Sequence, residues 1–207
     1  MKLRITSLTL LFLALAAIPA SAQLYSNGPI NGTVDAWAIN FGYAVSDTFT
    51  TPGAPYLVTG FDLGVWEYPG DTVLTLDWSI TSAEFGGTTY GSGTASMTDT
   101  FISVNQFGYD IDQLSVTGLR IELSRGTYWL NIQNAVSAQG NPVFWDENSG
   151  VGCYPGPCPS SASDSAAGTI ASEAFAVDGA GSPEPSSILL FGSGILGLAG
   201  VVRRKLF

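Results

Sequence analysis

The sequence contains no histidine, and this absence excludes several kinds of active site. Histidine is the side chain that titrates near neutral pH, and it completes the Ser-His-Asp and Cys-His catalytic groups. It is also a common zinc ligand. The sequence therefore excludes histidine-dependent catalysis and histidine-based zinc sites.

Positive charge is scarce in the middle of the chain. All 17 acidic residues lie between Asp35 and Glu184, whereas residues 23–202 contain two cations, Arg120 and Arg125, so this part carries a net charge of 2 − 17 = −15. Phosphate binding needs lysine and arginine to displace counterions. The charge balance therefore excludes nucleic acid as a partner.

Cysteine occurs only twice, at Cys153 and Cys158, within the sequence Cys-Tyr-Pro-Gly-Pro-Cys. In an exported chain, a closely spaced pair is most simply a disulfide. Pro155 and Gly156 suit the centre of a turn that brings the two cysteines together. We therefore expect a structural disulfide that pins a loop, in preference to a redox or metal-binding role.

The first 22 residues have the layout of a secretory signal peptide. Two cations open the segment, residues 5–18 form an apolar run, and Ala20 and Ala22 supply the small residues of a cleavage site. The apolar run is shorter than the roughly 20 residues that a membrane-spanning helix needs. We expect a mature chain that begins at Gln23.

Residues 23–181 are rich in aromatic residues and glycine and alternate with the two-residue period of β-strands. The clearest examples are residues 37–45, 57–65 and 74–80. No stretch shows the apolar stripe of an amphipathic helix. About eight to ten short strands with glycine-rich turns predict an all-β domain, a single β-sandwich of jelly-roll type.

Glycine, proline and serine place the turns and loops of this domain. Residues 68–71, Tyr-Pro-Gly-Asp, have the composition of a turn, because proline presets φ and glycine accepts positive φ. Arg125-Gly126 separates two strand-like runs, so residues 119–133 are predicted to form a tight hairpin. Residues 94–104 are predicted as one strand, residues 160–168 as a surface loop and residues 178–182 as a linker.

The C-terminal tail, residues 182–207, combines three features in order. An uncharged apolar segment over residues 188–202 predicts a short membrane-spanning helix. Basic residues stay on the cytoplasmic side of a membrane, so the β-domain would face outward. The segment is preceded by a Pro-Glu-Pro motif and followed by a basic cluster: Pro183, Glu184 and Pro185; Arg203, Arg204 and Lys205.

This tail resembles the PEP-CTERM sorting signal of bacterial proteins, which has the same three parts. The resemblance covers about the last 25 residues and implies recognition by exosortase, a membrane protease that acts near the Pro-Glu-Pro motif. The two prolines keep that segment extended and outside the helix, as a protease cleft requires. The alternative is an ordinary single-span anchor with a stiff spacer.

The resemblance implies that the chain is exported, held transiently in the inner membrane, cut by exosortase, and then located at the cell surface or in the extracellular matrix. The β-domain is then most simply a structural or matrix protein without catalysis. The alternative is a carbohydrate-binding module attached to exopolysaccharide or biofilm matrix, in which Trp129 and Trp145 stack on sugar rings and Asp146 accepts hydrogen bonds. For each tryptophan the competing role is packing in the core.

Two further possibilities arise from the acidic residues. A glycoside hydrolase needs paired carboxylates and no histidine, and Glu67, Glu122 and Glu147 are candidates, although their spacing selects no pair. We therefore expect no enzyme activity. Acidic residues also supply oxygen ligands for a structural calcium ion, for which the sequence indicates no particular ligands. No other cofactor is expected.

Overall fold

The computed structural model describes residues 22–51, 55–151, 153–154 and 161–181. These residues form two β-sheets and no helix, so the predicted all-β class with two sheets is confirmed. No helix within them is long and apolar enough to cross a membrane. Of the predicted signal peptide, residues 1–21 lie outside the described residues, whereas Ala22 belongs to the first strand. The predicted tail, residues 182–207, also lies outside.

The described residues contain fourteen strands. In chain order they are β1 (Ala22–Asn27), β2 (Ala36–Ala38), β3 (Ala44–Thr51), β4 (Tyr56–Glu67), β5 (Val73–Ala83), β6 (Gly86–Ser96), β7 (Thr98–Val104), β8 (Asp110–Leu123), β9 (Gly126–Ser137), β10 (Phe144–Asp146), β11 (Cys153–Tyr154), β12 (Ala162–Asp164), β13 (Gly168–Ile170) and β14 (Phe175–Gly181).

The eight-stranded sheet, called sheet A, is organised around β4. One edge of β4 pairs along its length with β8, which in turn pairs with β7. The other edge pairs with β14 and, further along, with β10. β14 also pairs with β1, and β1 pairs with β11. β10 also pairs with β2, and all the pairs in this sheet are antiparallel.

The six-stranded sheet, called sheet B, has the order β13-β12-β3-β9-β5-β6. The chain moves between the sheets repeatedly, since β3, β5 and β9 lie in sheet B whereas β4 and β8 lie in sheet A. Neighbours in sheet B are therefore mostly distant in sequence. Such long-range pairing cannot be read from local sequence.

The core is an apolar layer between the two sheets. Phe61 of β4 meets Trp78 of β5 edge to face with ring centroids 5.7 Å apart, and Tyr25 of β1 lies 6.2 Å from Phe49 of β3. Burying a large apolar side chain completely contributes about 1.5–3 kcal/mol to folding. The alternating inward residues of both sheets thus hold the sandwich together.

Residues 37–45, predicted as one strand, are divided by a turn. β2 ends at Ala38 and β3 begins at Ala44, and the N–H of Tyr43 donates to the carbonyl of Asn40 at 3.1 Å. Phe41 has a positive φ of 55° and is 67% exposed. The aromatic alternation resembled a strand, but the chain reverses direction through Phe41 and Gly42.

The predicted hairpin over residues 119–133 is wrong, because its two strands lie in different sheets. β8 pairs with β4 and β7, whereas β9 pairs with β3 and β5. Ser124 and Arg125 carry the chain across the sandwich. The hydroxyl of Thr51 holds this crossing by donating to the carbonyl of Ser124 at 2.6 Å and accepting from the N–H of Gly126 at 3.0 Å.

Three other local predictions need correction, and one is confirmed. Residues 94–104 are divided at Met97 between β6 and β7, which lie in different sheets. Within the surface loop predicted at residues 160–168, residues 162–164 form the buried strand β12. The linker predicted at residues 178–182 belongs to strand β14 as far as Gly181. The turn at residues 68–71 is present: the N–H of Asp71 donates to the carbonyl of Tyr68 at 2.9 Å.

Replacing Phe175 tests the importance of the apolar layer. Its ring is 1% exposed and contacts Tyr25 and Trp145 at centroid distances of 5.5 and 5.6 Å. Phe175→Ala is expected to lower the free energy of unfolding by about 3–5 kcal/mol, because it leaves a cavity. Urea denaturation measures the change. Phe41→Ala, at an exposed ring, is the control and should change the free energy by less than about 0.5 kcal/mol.

Candidate functional site

Three carboxylates lie at one end of the apolar layer between the sheets. Paired residues on neighbouring strands point to the same face of a sheet. In sheet A the inward pair Leu63 and Leu114 is followed by Val65 opposite Asp112, and then by Glu67. The inward-facing rows of β4 and β8 therefore change from apolar to acidic towards the end of the core.

Glu67, Asp99 and Asp112 form what we call the acidic cluster. Each offers one carboxylate oxygen, and these three oxygens lie within 4.8 Å of one another. Asp99 comes from β7, where its partner Leu114 shows that it also points inward. Glu67 is 1% exposed and Asp112 is buried, whereas Asp99 is half-buried.

A backbone N–H holds Asp99, whereas no backbone N–H holds Glu67 among the described residues. The N–H of Val73, at the start of β5, donates to Oδ2 of Asp99 at 3.0 Å. Neither oxygen of an ionised Glu67 accepts a hydrogen bond from a donor among the described residues, whereas a protonated Glu67 shares a hydrogen bond with Asp99. A buried carboxylate without donors is unfavourable, so Glu67 needs either a proton or a cation.

Two more aspartates surround the acidic cluster and are held by the loop between β4 and β5. Oδ2 of Asp110 accepts a hydrogen bond from the N–H of Gly70 at 2.8 Å. Oδ1 of Asp71 accepts from the N–H groups of Thr72 at 2.8 Å and Gln139 at 3.0 Å. These carboxylates order the loop and add negative potential around the cluster.

Burial and mutual repulsion raise the pKa values of the acidic cluster. Burial, followed by the charges of Asp99, Asp112 and Asp71, raises the pKa of Glu67 to about 9. Burial, followed by the charges of Asp99 and Asp110, raises the pKa of Asp112 to about 6. Burial also raises the pKa of Asp99, although the hydrogen bond from Val73 acts in the opposite direction. Without a cation, Glu67 is therefore protonated at neutral pH.

A second buried carboxyl group, Glu173, lies just before β14. Its side chain is fully buried, and neither oxygen has a hydrogen-bond partner among the described residues. Burial, then the charges of Asp47, Glu147, Asp146 and Asp35, raise the pKa of Glu173 well above its usual value. Burial therefore favours the protonated form of Glu173.

The structure corrects the predicted sugar-binding roles of Trp145 and Asp146. Trp145 is fully buried, and its indole N–H donates to the carbonyl of Ala174 at 3.0 Å. Asp146 is also fully buried and accepts a hydrogen bond from the indole N–H of Trp66 at 2.7 Å. Trp145 therefore packs in the core, which was the competing role for each tryptophan. Asp146 accepts its hydrogen bond inside the fold and is not available to a sugar. Trp129 is half-buried on the outward face of β9.

An open groove of about 360 Å³ lies on the outward side of sheet B. Along β5 and β9, the polar residues that line the groove alternate with core residues such as Ile80 and Ile132, so they face away from the core. At its rim the ring of Phe85 is 41% exposed, and the N–H of Phe85 donates to Oδ1 of Asn131 at 3.0 Å. The groove is lined by Asp77, Trp78, Ser79, Phe85, Ser92, Gly93, Thr94, Asn131 and Gln133.

The candidate catalytic glutamates are spread over the domain. Glu67 lies opposite Asp110, and Glu122 lies opposite Leu57, so these two glutamates occupy opposite ends of the β4–β8 pair. Glu147 is half-buried and forms an isolated bridge with Glu173. The sequence did not indicate that Asp99 and Asp112 lie beside Glu67, because the three residues come from separate strands.

The remaining predicted sites lie mostly outside the described residues. Cys153 belongs to β11, opposite Asn27, but Cys158 is not among the described residues, so the disulfide stays a prediction. Ala22 opens β1, opposite Gly179, whereas Ala20 lies outside. The sorting motif and the basic cluster also lie outside: Pro183, Glu184 and Pro185; Arg203, Arg204 and Lys205.

Replacing Glu173 tests its protonation. Above pH 4.5, the ordinary pKa of glutamate, the unfolded chain releases a proton that folded Glu173 retains. Wild-type stability should therefore fall with rising pH by up to about 1.4 kcal/mol per unit from this group. Glu173→Gln has no such proton, so its unfolding free energy relative to wild type should rise as the pH increases above about 5, as measured by urea denaturation.

Glu122→Gln, at an exposed position of β8, is the matched control and should follow the wild-type curve. Subtracting the unfolding free energy of wild type from that of each variant at every pH removes the contributions of the other carboxyl groups. Parallel curves for wild type and Glu173→Gln over this pH range would show that Glu173 ionises normally in the folded protein.

Comparison with known proteins identifies the tail. Residues 183–205 match the family model described as the PEP-CTERM protein-sorting motif. No curated protein matches the chain. The match confirms the resemblance of the Pro-Glu-Pro motif, the apolar segment and the basic cluster to this signal. The chain therefore carries a C-terminal PEP-CTERM protein-sorting motif, which marks it as an exported protein targeted to exosortase.

Proposed function

We propose that this chain is a non-catalytic protein of the cell surface or extracellular matrix, released or transferred by exosortase. The match of residues 183–205 to the sorting motif carries this proposal. Residues 1–22 act as the signal peptide, residues 23–181 form the β-sandwich, and residues 182–207 form the sorting tail with its membrane helix. The basic cluster stays on the cytoplasmic side, so the sandwich faces outward.

The pairing of the first and last strands supports this arrangement. Ala22 of β1 lies opposite Gly179 of β14, and Gly181 lies opposite Tyr56 at the start of β4. Both ends of the domain therefore leave from the same end of sheet A. A sandwich tethered in this way stands on the membrane by that end until exosortase cuts the tail.

The strand order supports the jelly-roll type. Eight principal strands, β1, β3, β4, β5, β6, β8, β9 and β14, can be numbered one to eight along the chain. Sheet A then contains the order 1-8-3-6, and sheet B contains the order 2-7-4-5. This alternation of sheets is the arrangement that two Greek keys produce in a jelly roll. The other six strands pair with these eight or with one another.

The placement of Glu67 and Glu122 supports the absence of glycosidase catalysis by this pair. Glu67 is enclosed at the end of the core, and Glu122 lies exposed at the opposite end of β8. A glycosidase needs its two carboxylates to flank one bond of a bound sugar. Glu67 and Glu122 cannot do so together, and the sequence has no histidine for other hydrolytic mechanisms.

Mass spectrometry of the mature protein from its host tests the sorting. The wild-type product should begin at Gln23 and lack the tail beyond the Pro183–Pro185 region. Replacing both Pro183 and Pro185 by alanine should leave the tail attached, because the recognised segment loses its extended conformation. Pro29→Ala changes an exposed proline outside the motif and should be processed normally. A mature wild-type chain that retains Arg203–Phe207 would instead indicate a simple anchor.

Carbohydrate binding is a second candidate function, favoured by the groove on sheet B. Hydroxyl, amide and carboxylate groups from Ser79, Gln133 and Asp77 line it, and the exposed ring of Phe85 provides a face for a sugar. An exopolysaccharide chain would bind along β5 and β9. This site replaces the one predicted at Trp145 and Asp146.

Co-sedimentation with exopolysaccharide from the host tests this second function. Phe85→Ala should lower the affinity about fivefold, since the loss of an aromatic contact costs roughly 1 kcal/mol. Phe41→Ala is a matched control, because Phe41 is also exposed and has a similar positive φ, 55° against 49° for Phe85. Equal binding by wild type and Phe85→Ala, or no binding by either, would reject the groove as the sugar site.

A further inference from the structure

We propose that the acidic cluster of Glu67, Asp99 and Asp112 binds one calcium ion. The three carboxylate oxygens already lie within 4.8 Å of one another, close enough to share a single ion. Glu67 is 1% exposed, and its ionised carboxylate accepts no hydrogen bond from a donor among the described residues, yet it is directed into the cluster. A cation at this point would satisfy that carboxylate.

Within the part of the chain that the structure describes, no basic side chain can neutralise the cluster. The two cations of the domain, Arg120 and Arg125, are exposed and lie towards the far end of β8. Asp112 lies near the start of that strand, and Asp71 and Asp110 add further negative charge at this end. The electrostatic potential therefore concentrates cations at the cluster. An isolated buried carboxylate costs several kcal/mol unless a proton or a metal ion accompanies it.

The ligand set favours calcium over other metal ions. Carboxylate oxygens suit hard cations, whereas zinc and copper prefer histidine and cysteine, and the sequence has no histidine. Three carboxylates, some binding through both oxygens, provide much of the roughly six to eight oxygens that calcium accepts at flexible angles. Magnesium requires a stricter octahedron and keeps several waters, which suits an enclosed site less well.

The ion would join elements that meet at one end of the sandwich. Glu67, Asp99 and Asp112 come from the neighbouring strands β4, β7 and β8 of sheet A. Asp99 also accepts the N–H of Val73, where the loop from β4 enters sheet B. Calcium therefore ties this loop to sheet A and closes the end of the core. This end lies opposite Tyr56 and Gly181, where the domain joins its membrane tail.

Calcium binding links the stability of the domain to its location. A ligand that binds only the folded state stabilises that state in proportion to its concentration. Extracellular domains typically bind calcium with dissociation constants of about 10⁻⁴–10⁻³ M. The site would therefore be mostly empty at cytosolic calcium concentrations and fill after export, so that the sandwich reaches full stability outside the cell.

Calcium titration of the full chain in mild detergent, after treatment with EDTA, tests the proposal. Calorimetry should detect one ion per chain, and about 10 mM calcium should raise the Tm by about 3–10 °C. Magnesium at the same concentration should raise it less. Glu67→Gln and Asp99→Asn should each abolish the calcium-induced rise, because each removes a charged ligand.

Glu122→Gln removes an acidic residue from the exposed surface of β8 and should keep the full calcium response. Asp99 is half-buried, so Asp99→Asn provides the decisive variant if Glu67→Gln does not fold. A wild-type chain that binds no calcium would overturn the proposal. Binding that persists unchanged in the folded variants would also overturn it, because the ion would then occupy another site.

Discussion

The antiparallel pairing of β4 with β8 is the constraint on which the rest of the structure depends. β4 lies at the centre of sheet A, with β8 along one edge and both β14 and β10 along the other. Its register directs Phe61, Leu63 and Val65 into the core and then places Glu67 at the end of the same row. A shift of one residue would expose this whole row to solvent. The core and the acidic cluster therefore share one determinant.

A strongly acidic domain that encloses carboxylates must stabilise each of them, and this structure does so in different ways. Oδ2 of Asp47 accepts the hydroxyl of Ser172 at 2.9 Å and the N–H of Glu173 at 2.6 Å. Asp146 accepts the indole N–H of Trp66. Burial favours the protonated form of Glu173. Among the described residues, ionised Glu67 has neither a hydrogen-bond donor nor a basic neighbour, which makes its environment suitable for a metal ion.

The two ends of the sandwich have different roles in our proposals. At one end β1 and β14 bring the beginning and the end of the domain together, next to the predicted membrane tail. At the other end the acidic cluster and the loop from β4 to β5 close the core. Tethering and ion binding are thus separated by the length of β4, twelve residues or about 40 Å.

The sequence by itself determined the sorting motif, the all-β class and the turn at residues 68–71, because these depend on contiguous residues and a two-residue period. It predicted a strand through Phe41 and a hairpin across Arg125, since alternation does not reveal where a chain reverses or changes sheet. Only the tertiary structure decided that Trp145 is enclosed and that Glu67, Asp99 and Asp112 meet. Those contacts arise from the register of separate strands, which local sequence does not encode.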